Sequence, residues 1–350
     1  MRPLRLAVVS CALLAVVGSF VSSTRACSRI LWNDNGRSVL VGRNMDWFED
    51  LKSHIWVLPR GMERDGLAAK NPMTWKSRYG SVVITAYDCV SADGINEKNL
   101  AVHMLYLSES SAGARDEKVP GLCMSMWPQY YLDNFATVAE AVASLEKSPY
   151  QLIMAVEPMS KAPTAIHLAL NDQSGDSAVL ECIGGKIKVY HDRKYTVMTN
   201  EPAFDKQLEN LKRYRGFGGV EPLPGTAEPD DRFVRGAYYL ARLPKPQTDR
   251  AAVAELMSVM RNVSTPFGVS EPGRPNVSAT IWRTVTDLTH GVLYYDSVDS
   301  PQIFWIDTKS LNFDAGQPVR KLALTPDSDL SGDVSAKFAR AEMFSFLKPN

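Results

Sequence analysis

The sequence predicts an α+β fold in which two antiparallel sheets lie face to face and helices cover both outer faces. Three observations predict it. Strand-like segments fall in two blocks, one ending near residue 199 and one starting near residue 278, and helical periodicity lies between them. The turns joining successive strands are short, which favours antiparallel hairpins. The chain is 350 residues long, 45% hydrophobic and 22% charged, enough to bury one large core, and its 22 glycines and 21 prolines leave no stretch that reads as a long linker. A single domain over residues 27–350 is therefore expected.

The first 26 residues stand apart. Arg2 and Arg5 make a short basic region, residues 6–21 are almost entirely apolar, and Ser22, Ser23, Thr24, Arg25 and Ala26 lead to a cleavage point. This is the layout of a secretory signal peptide. The apolar run is too short for a comfortable bilayer span, and no later segment is long and apolar enough to make one. The product is expected to be exported, periplasmic or secreted, with no stable membrane insertion after cleavage. The 39 basic and 39 acidic side chains balance, and loss of Arg2, Arg5 and Arg25 leaves a slightly acidic mature chain. No Lys/Arg cluster offers a nucleic-acid surface. An uncleaved anchor and a cut after Ser23 are the competing readings.

Cleavage after Ala26 would make Cys27 the first residue, with a free α-amine beside its own thiol. Thiols and α-amines both titrate close to ambient pH, so the amine can take the thiol proton and return it to a leaving group. The competing reading is a non-catalytic lipoprotein acylated at Cys27, although Thr24-Arg25-Ala26 lacks the aliphatic residue usual three positions before a lipidated cysteine. Cys11 leaves with the leader. Cys89, Cys123 and Cys182 show no CxxC spacing and read as small buried residues, because a core of this size needs no stapling.

From the N-terminus onward, residues 27–33 and 37–42 read as two strands around a three-residue loop, Asp34-Asn35-Gly36. That loop would set Cys27 opposite Arg43, whose guanidinium favours a thiolate, with Asp46 just beyond as an acceptor for the α-ammonium. Strand signals follow at 81–88, 100–107, 164–170, 178–183, 187–190 and 195–199. A helix is expected at 137–147, opened by a Thr137/Glu140 capping box, and others at 204–214, 231–243 and 251–261. Strands at 278–287, 292–295 and 303–306 close the second block. The five histidines show no HExxH or ligand spacing, and no GxSxG, Walker A or dinucleotide fingerprint occurs, so no metal or cofactor is expected.

Five segments carry a resemblance. Cys27-Ser28-Arg29-Ile30, Gly42-Arg43-Asn44-Met45-Asp46-Trp47, the run Asp93-Gly94-Ile95-Asn96-Glu97-Lys98-Asn99-Leu100, Thr199-Asn200-Glu201-Pro202 and Trp282-Arg283-Thr284 together resemble the choloylglycine hydrolase family. That family comprises penicillin V acylases and conjugated bile salt hydrolases, cysteine amidases with an N-terminal nucleophile. The resemblance implies a four-layer αββα sandwich, commonly tetrameric, with Cys27 as nucleophile and Arg43 and Asp46 as its neighbours. It makes Asn200 a side-chain donor to the oxyanion, Tyr106 the second donor through its backbone N–H, and Arg283 the later arginine of the site. Read from the residues alone, Asn200 fits a helix N-cap equally well.

The substrate implied is a small acyl amide. Trp47 and the aromatic segment containing Trp127 and Tyr130 are candidates for the wall of an apolar acyl pocket. Tyr106 and Trp47 lean toward the penicillin V acylase branch. N-acyl homoserine lactone acylase, bile salt hydrolase and dipeptidase readings remain open on the same chemistry.

Overall fold

A computed structural model of the chain describes residues 27–147, 149–157, 161, 163–267, 278–325 and 327–349. The leader expected over residues 1–26 lies outside the described residues. Two large sheets form the centre. The first runs Val197–Thr199, Cys27–Trp32, Leu40–Trp47, Ala279–Asp287, Val292–Ser297, Ile303–Asp307, Gly332–Asp333, antiparallel except for its last pair. The second, nine-stranded and antiparallel, runs from Lys186–His191 through Ser177–Ile183, Ile166–Asn171, Ala101–Tyr106, Val90–Asn96, Ser81–Ala86 and Ile55–Leu58 to Arg320–Leu322 and Ala339–Arg340.

Helices Pro229–Leu240 and Asp249–Asn262 pack on the outer face of the first sheet, and Trp127–Asn134 and Val138–Lys147 on that of the second. The result is the four-layer αββα sandwich. Its layering explains why strands such as Cys27–Trp32 are buried along their whole length, since a helix layer covers one face and a sheet the other. Helix and sheet approach closely at Gly42, where a Cβ would lie 2.5 Å from Cγ and Sδ of Met260. Helix Val138–Lys147 starts on the expected cap: Thr137 Oγ1 accepts from the Glu140 amide at 3.1 Å, and Glu140 reaches back to the Ala136 amide at 2.9 Å.

The first hairpin departs from expectation. Its strands end at Trp32 and begin at Leu40, so Cys27 lies opposite Met45 and Arg29 opposite Arg43. Asn35 holds the longer connection: its Nδ2 donates to the Ser38 carbonyl (2.8 Å), its Oδ1 accepts from the Arg37 and Ser38 amides, and Gly36 supplies a φ of +80°. The displacement is two residues, an even number, so Arg43 stays on the same sheet face as Cys27. Strands Ile55–Leu58 and Val90–Asn96 and helix Trp127–Asn134 had no clear sequence signal. The last is WPQYYLDN, poor in strong helix formers, and is buried almost throughout against the second sheet.

Candidate active site

Cys27 sits buried at the end of its strand, with Sγ 3.9 Å from Met45 Sδ and 3.8 Å from the Asp46 carbonyl oxygen. Strand Val197–Thr199 pairs on its other side, Ser28 opposite Thr199, which carries the next residue, Asn200, to the Cys27 end of the sheet. The Cys27 nitrogen donates to Asn200 Oδ1, and Asn200 Nδ2 donates to the Tyr106 carbonyl at 2.8 Å. One fully buried amide thus joins the thiol-bearing residue to the second sheet.

Arg43 faces the same cavity from the neighbouring strand. Its guanidinium lies 4.8 Å from the Trp282 ring centroid, and Nη2 donates to the Met104 carbonyl at 2.7 Å. Its buried Nε and Nη1 have no hydrogen-bond partner among the described residues. A buried cation with idle donors stabilises an anion placed beside it, here a thiolate or the acyl oxygen of a bound substrate.

Asp46 points to the opposite face of the strand, toward the helices. Thr280 Oγ1 donates to its Oδ1 at 2.5 Å. Burial pushes its carboxyl up from 3.8 to about 6, against the pull of Arg232, Thr280, Arg43 and Arg283. The thiol of Cys89, which borders the same cavity, is held inert: burial and the Asp88 charge push it up to about 11.

The structure adds a residue the sequence reading passed over. Arg232, fully buried on helix Pro229–Leu240, donates from Nη1 to the Cys27 carbonyl (2.6 Å) and Ser28 Oγ (2.5 Å) and from Nη2 to Asn200 Oδ1 (3.0 Å), with Nη1 3.9 Å from Asp46 Oδ2. The sequence alone carried no signal for it, because the contact that orients it is visible only in the fold. Arg232 lies one turn before Gly236, the position where the helix meets Ile30 of the Cys27 strand, and so shares its sheet-facing side.

Arg283, in contrast, does not reach the thiol. It pairs with Asn44, while its neighbour Thr284 pairs with Arg43, so strand alternation turns Arg283 to the outer face. There Nη1 bonds Asp296 Oδ2 and Nε bonds Ser264 Oγ, both at 2.8 Å.

The cavity beside Cys27 is almost wholly apolar, with Met45, Trp47, Val90, Met104 and Tyr106 in its walls. Trp47 and Tyr106 meet edge to face at 6.4 Å. Trp47 Nε1 donates to Tyr87 Oη at 2.9 Å, and Tyr87 donates on to Glu49 Oε1. Trp127 and Tyr130 are absent from these walls. Trp127 Nε1 bonds Tyr150 Oη at 2.8 Å, and Tyr130 packs edge to face on Trp75 and Tyr150, filling the core between the second sheet and its helices. The structure therefore gathers Cys27, Arg43, Tyr106, Asn200 and Trp47, leaves Arg283, Trp127 and Tyr130 elsewhere, and turns the Asp46 carboxylate to Thr280 and Arg232, so that Asn200 Oδ1 takes the place expected of Asp46 as acceptor for the Cys27 nitrogen.

Comparison with known proteins gives this arrangement its relatives. The family model of linear amide C–N hydrolases of the choloylglycine hydrolase family matches residues 27–321, starting at the cysteine itself. A penicillin V acylase of Pectobacterium atrosepticum is 39% identical, with 96% of each chain covered. A bile salt hydrolase/transferase of Clostridium perfringens is 26% identical over 79% of this chain and 91% of its own. The structure of a penicillin V acylase from Agrobacterium tumefaciens superimposes with a TM-score of 0.83 at 41% identity, covering 92% of this chain and 100% of that one. A match this long to both model and relatives places the chain in the choloylglycine hydrolase family of linear amide C–N hydrolases.

Proposed function

We propose that the chain is exported, that cleavage before Cys27 frees its α-amine, and that the mature protein hydrolyses acyl amides of the penicillin V type through the Cys27 thiol. One observation carries the reading: the thiol opens on an apolar, aromatic-walled cavity beside Arg43, whose buried Nε and Nη1 have no partner among the described residues. The α-amine takes the thiol proton and Arg43 favours the thiolate. Sulfur attacks the carbonyl carbon, the C–N bond breaks, and the α-ammonium returns its proton to the departing amine. Water then hydrolyses the thioester, releasing the acid and the thiol.

Asn200 and Arg232 orient the Cys27 backbone through their hydrogen bonds to its nitrogen and carbonyl. The second N–H of Asn200 Nδ2 and the Tyr106 backbone N–H are the proposed oxyanion donors. The penicillin V preference is supported by the closely similar acylases and by the Trp47–Tyr106 wall, where an aryloxyacetyl ring finds an edge-to-face site. A tetrameric assembly is proposed with it, to be read by light scattering.

The test is the intact mass and N-terminal sequence of the protein recovered from an exporting host, then hydrolysis of penicillin V, an N-acyl homoserine lactone and glycocholate by that same sample. A chain starting at unmodified Cys27 that turns over penicillin V fastest supports the proposal. A diacylglyceryl cysteine, or a free Cys27 without amide turnover, ends it.

A further inference from the structure

The family match stops at residue 321, yet the chain beyond it returns to the cavity that holds Cys27. Ala339–Arg340 adds a last strand to the second sheet, and the Ala341 amide donates to the Val319 carbonyl at 3.0 Å. Phe344 then packs edge to face on Trp56 at 5.2 Å and against Phe346 at 4.8 Å. These anchors deliver Leu347. Its amide donates to the Cys89 carbonyl (2.9 Å), and its own carbonyl accepts from Ser125 Oγ (2.6 Å) and Cys123 Sγ (3.3 Å).

Held at both backbone ends, Leu347 lines the cavity together with Cys89 and Met124, on the wall made by the second sheet and its outer layer, whereas Cys27 and Arg43 belong to the first sheet. The turn that receives it is also fixed. Tyr87 and Asp88 take left-handed φ values of 53° and 45°, and Asp88 accepts from Thr85 Oγ1 (2.6 Å), Trp56 Nε1 (2.9 Å) and Lys321 Nζ (2.7 Å). Other parts of the lining are unbranched and adaptable, notably Met45 and Met104.

We propose that Leu347 is a specificity-determining residue, the end wall of the acyl pocket, which sets the longest acyl group the protein accepts. The inference rests on reading this cavity as the acyl site. An acyl chain extended from the thiol gains about fourfold in kcat/KM for each methylene that finds apolar wall, until it meets a side chain whose backbone cannot retreat.

The experiment measures kcat/KM for N-acyl amides that share one amine and lengthen from butanoyl to dodecanoyl. Leu347→Ala is expected to move the optimum about two to three carbons longer and Leu347→Trp to move it shorter. Leu347→Val, with a shift of about one carbon, replaces Ala should that variant fail to fold. Glu342→Ala, exposed on the same segment, keeps the wild-type profile. Binding of the matching straight-chain carboxylic acids to Cys27→Ala protein reads the same wall without turnover. If chain-length preference moves in binding while the wild type hydrolyses no amide, the wall stands and the nucleophile reading falls. Cys27-dependent turnover with the same length profile in folded Ala and Trp variants overturns the end wall and leaves the proposed function intact.

Discussion

On the proposed mechanism Cys27 and the groups touching it carry the chemistry, and each makes a separate prediction. Cys27→Ala is expected to remove turnover with no change in melting temperature beyond a degree or so, because only one sulfur leaves a cavity that is already open. Asn200→Ala is expected to lower kcat by about a hundred- to a thousandfold, the effect of losing one oxyanion donor, with a smaller change in KM. Asp46 gives a pH signature. Its folded value, about 6, lies above 3.8, so the folded state holds the proton more tightly than the unfolded chain. The stability linked to this is complete below about pH 4 and is lost as pH rises through about 6. Melting curves should show wild type losing ground to Asp46→Asn over that window, and a flat difference would contradict it. Residue types and order pointed to Cys27, Arg43 and Asp46, and the family resemblance added Asn200, but neither could tell that Asn200 is committed through both ends of its amide, to Cys27 and to Tyr106.

Among the elements, strand alternation decides which arginine serves the site. Arg43 and Arg283 sit on adjacent paired strands one register step apart, and that step sends one inward and the other outward. Arg232→Lys keeps the charge but loses the forked donation to Cys27, Ser28 and Asn200, and is expected to reduce kcat/KM at least tenfold. Arg283→Met removes a largely buried pairing with Asp296 on the sheet face turned away from the thiol, and is expected to leave kcat/KM within about twofold of wild type. Assaying both variants beside wild type separates the two roles. Tyr87→Phe unpins Trp47 by removing the hydroxyl that links it to Glu49. It should raise KM for an aryloxyacetyl amide more than for a short aliphatic one, with kcat nearly unchanged. The hairpin register was misread because residue types favoured a three-residue loop, Asp34-Asn35-Gly36, while Asn35 instead bonds across a longer one.

At the scale of the molecule, the sandwich brings together a cysteine from one sheet, a tyrosine carbonyl from the other, an arginine from a covering helix and a leucine far down the chain. A buried polar contact also crosses the interface between sheets: Thr284 Oγ1 donates to Asp93 Oδ2 at 2.9 Å, while within the second sheet His103 Nδ1 lies 2.5 Å from Oδ1 of the same carboxylate. On the proposed mechanism, a folded chain that retains peptide before Cys27 binds acids but turns over no amide, since an amide nitrogen cannot accept the thiol proton; single-turnover assays on retained and released forms check this.

The sequence by itself determined the fold class, most strands, most of the flanking helices and the candidate thiol with Arg43 on its side of the sheet. Those features rest on local periodicity, turn residues and motifs that survive within a few positions of the chain. Only the tertiary structure decided that Arg232 rather than Arg283 meets Cys27, that Trp127 and Tyr130 belong to the core, and that Leu347 reaches the cavity. Those outcomes depend on which faces of separate strands and helices are pressed together. Parity along a strand and the packing of a remote segment are long-range quantities, and no window of neighbouring residues contains them.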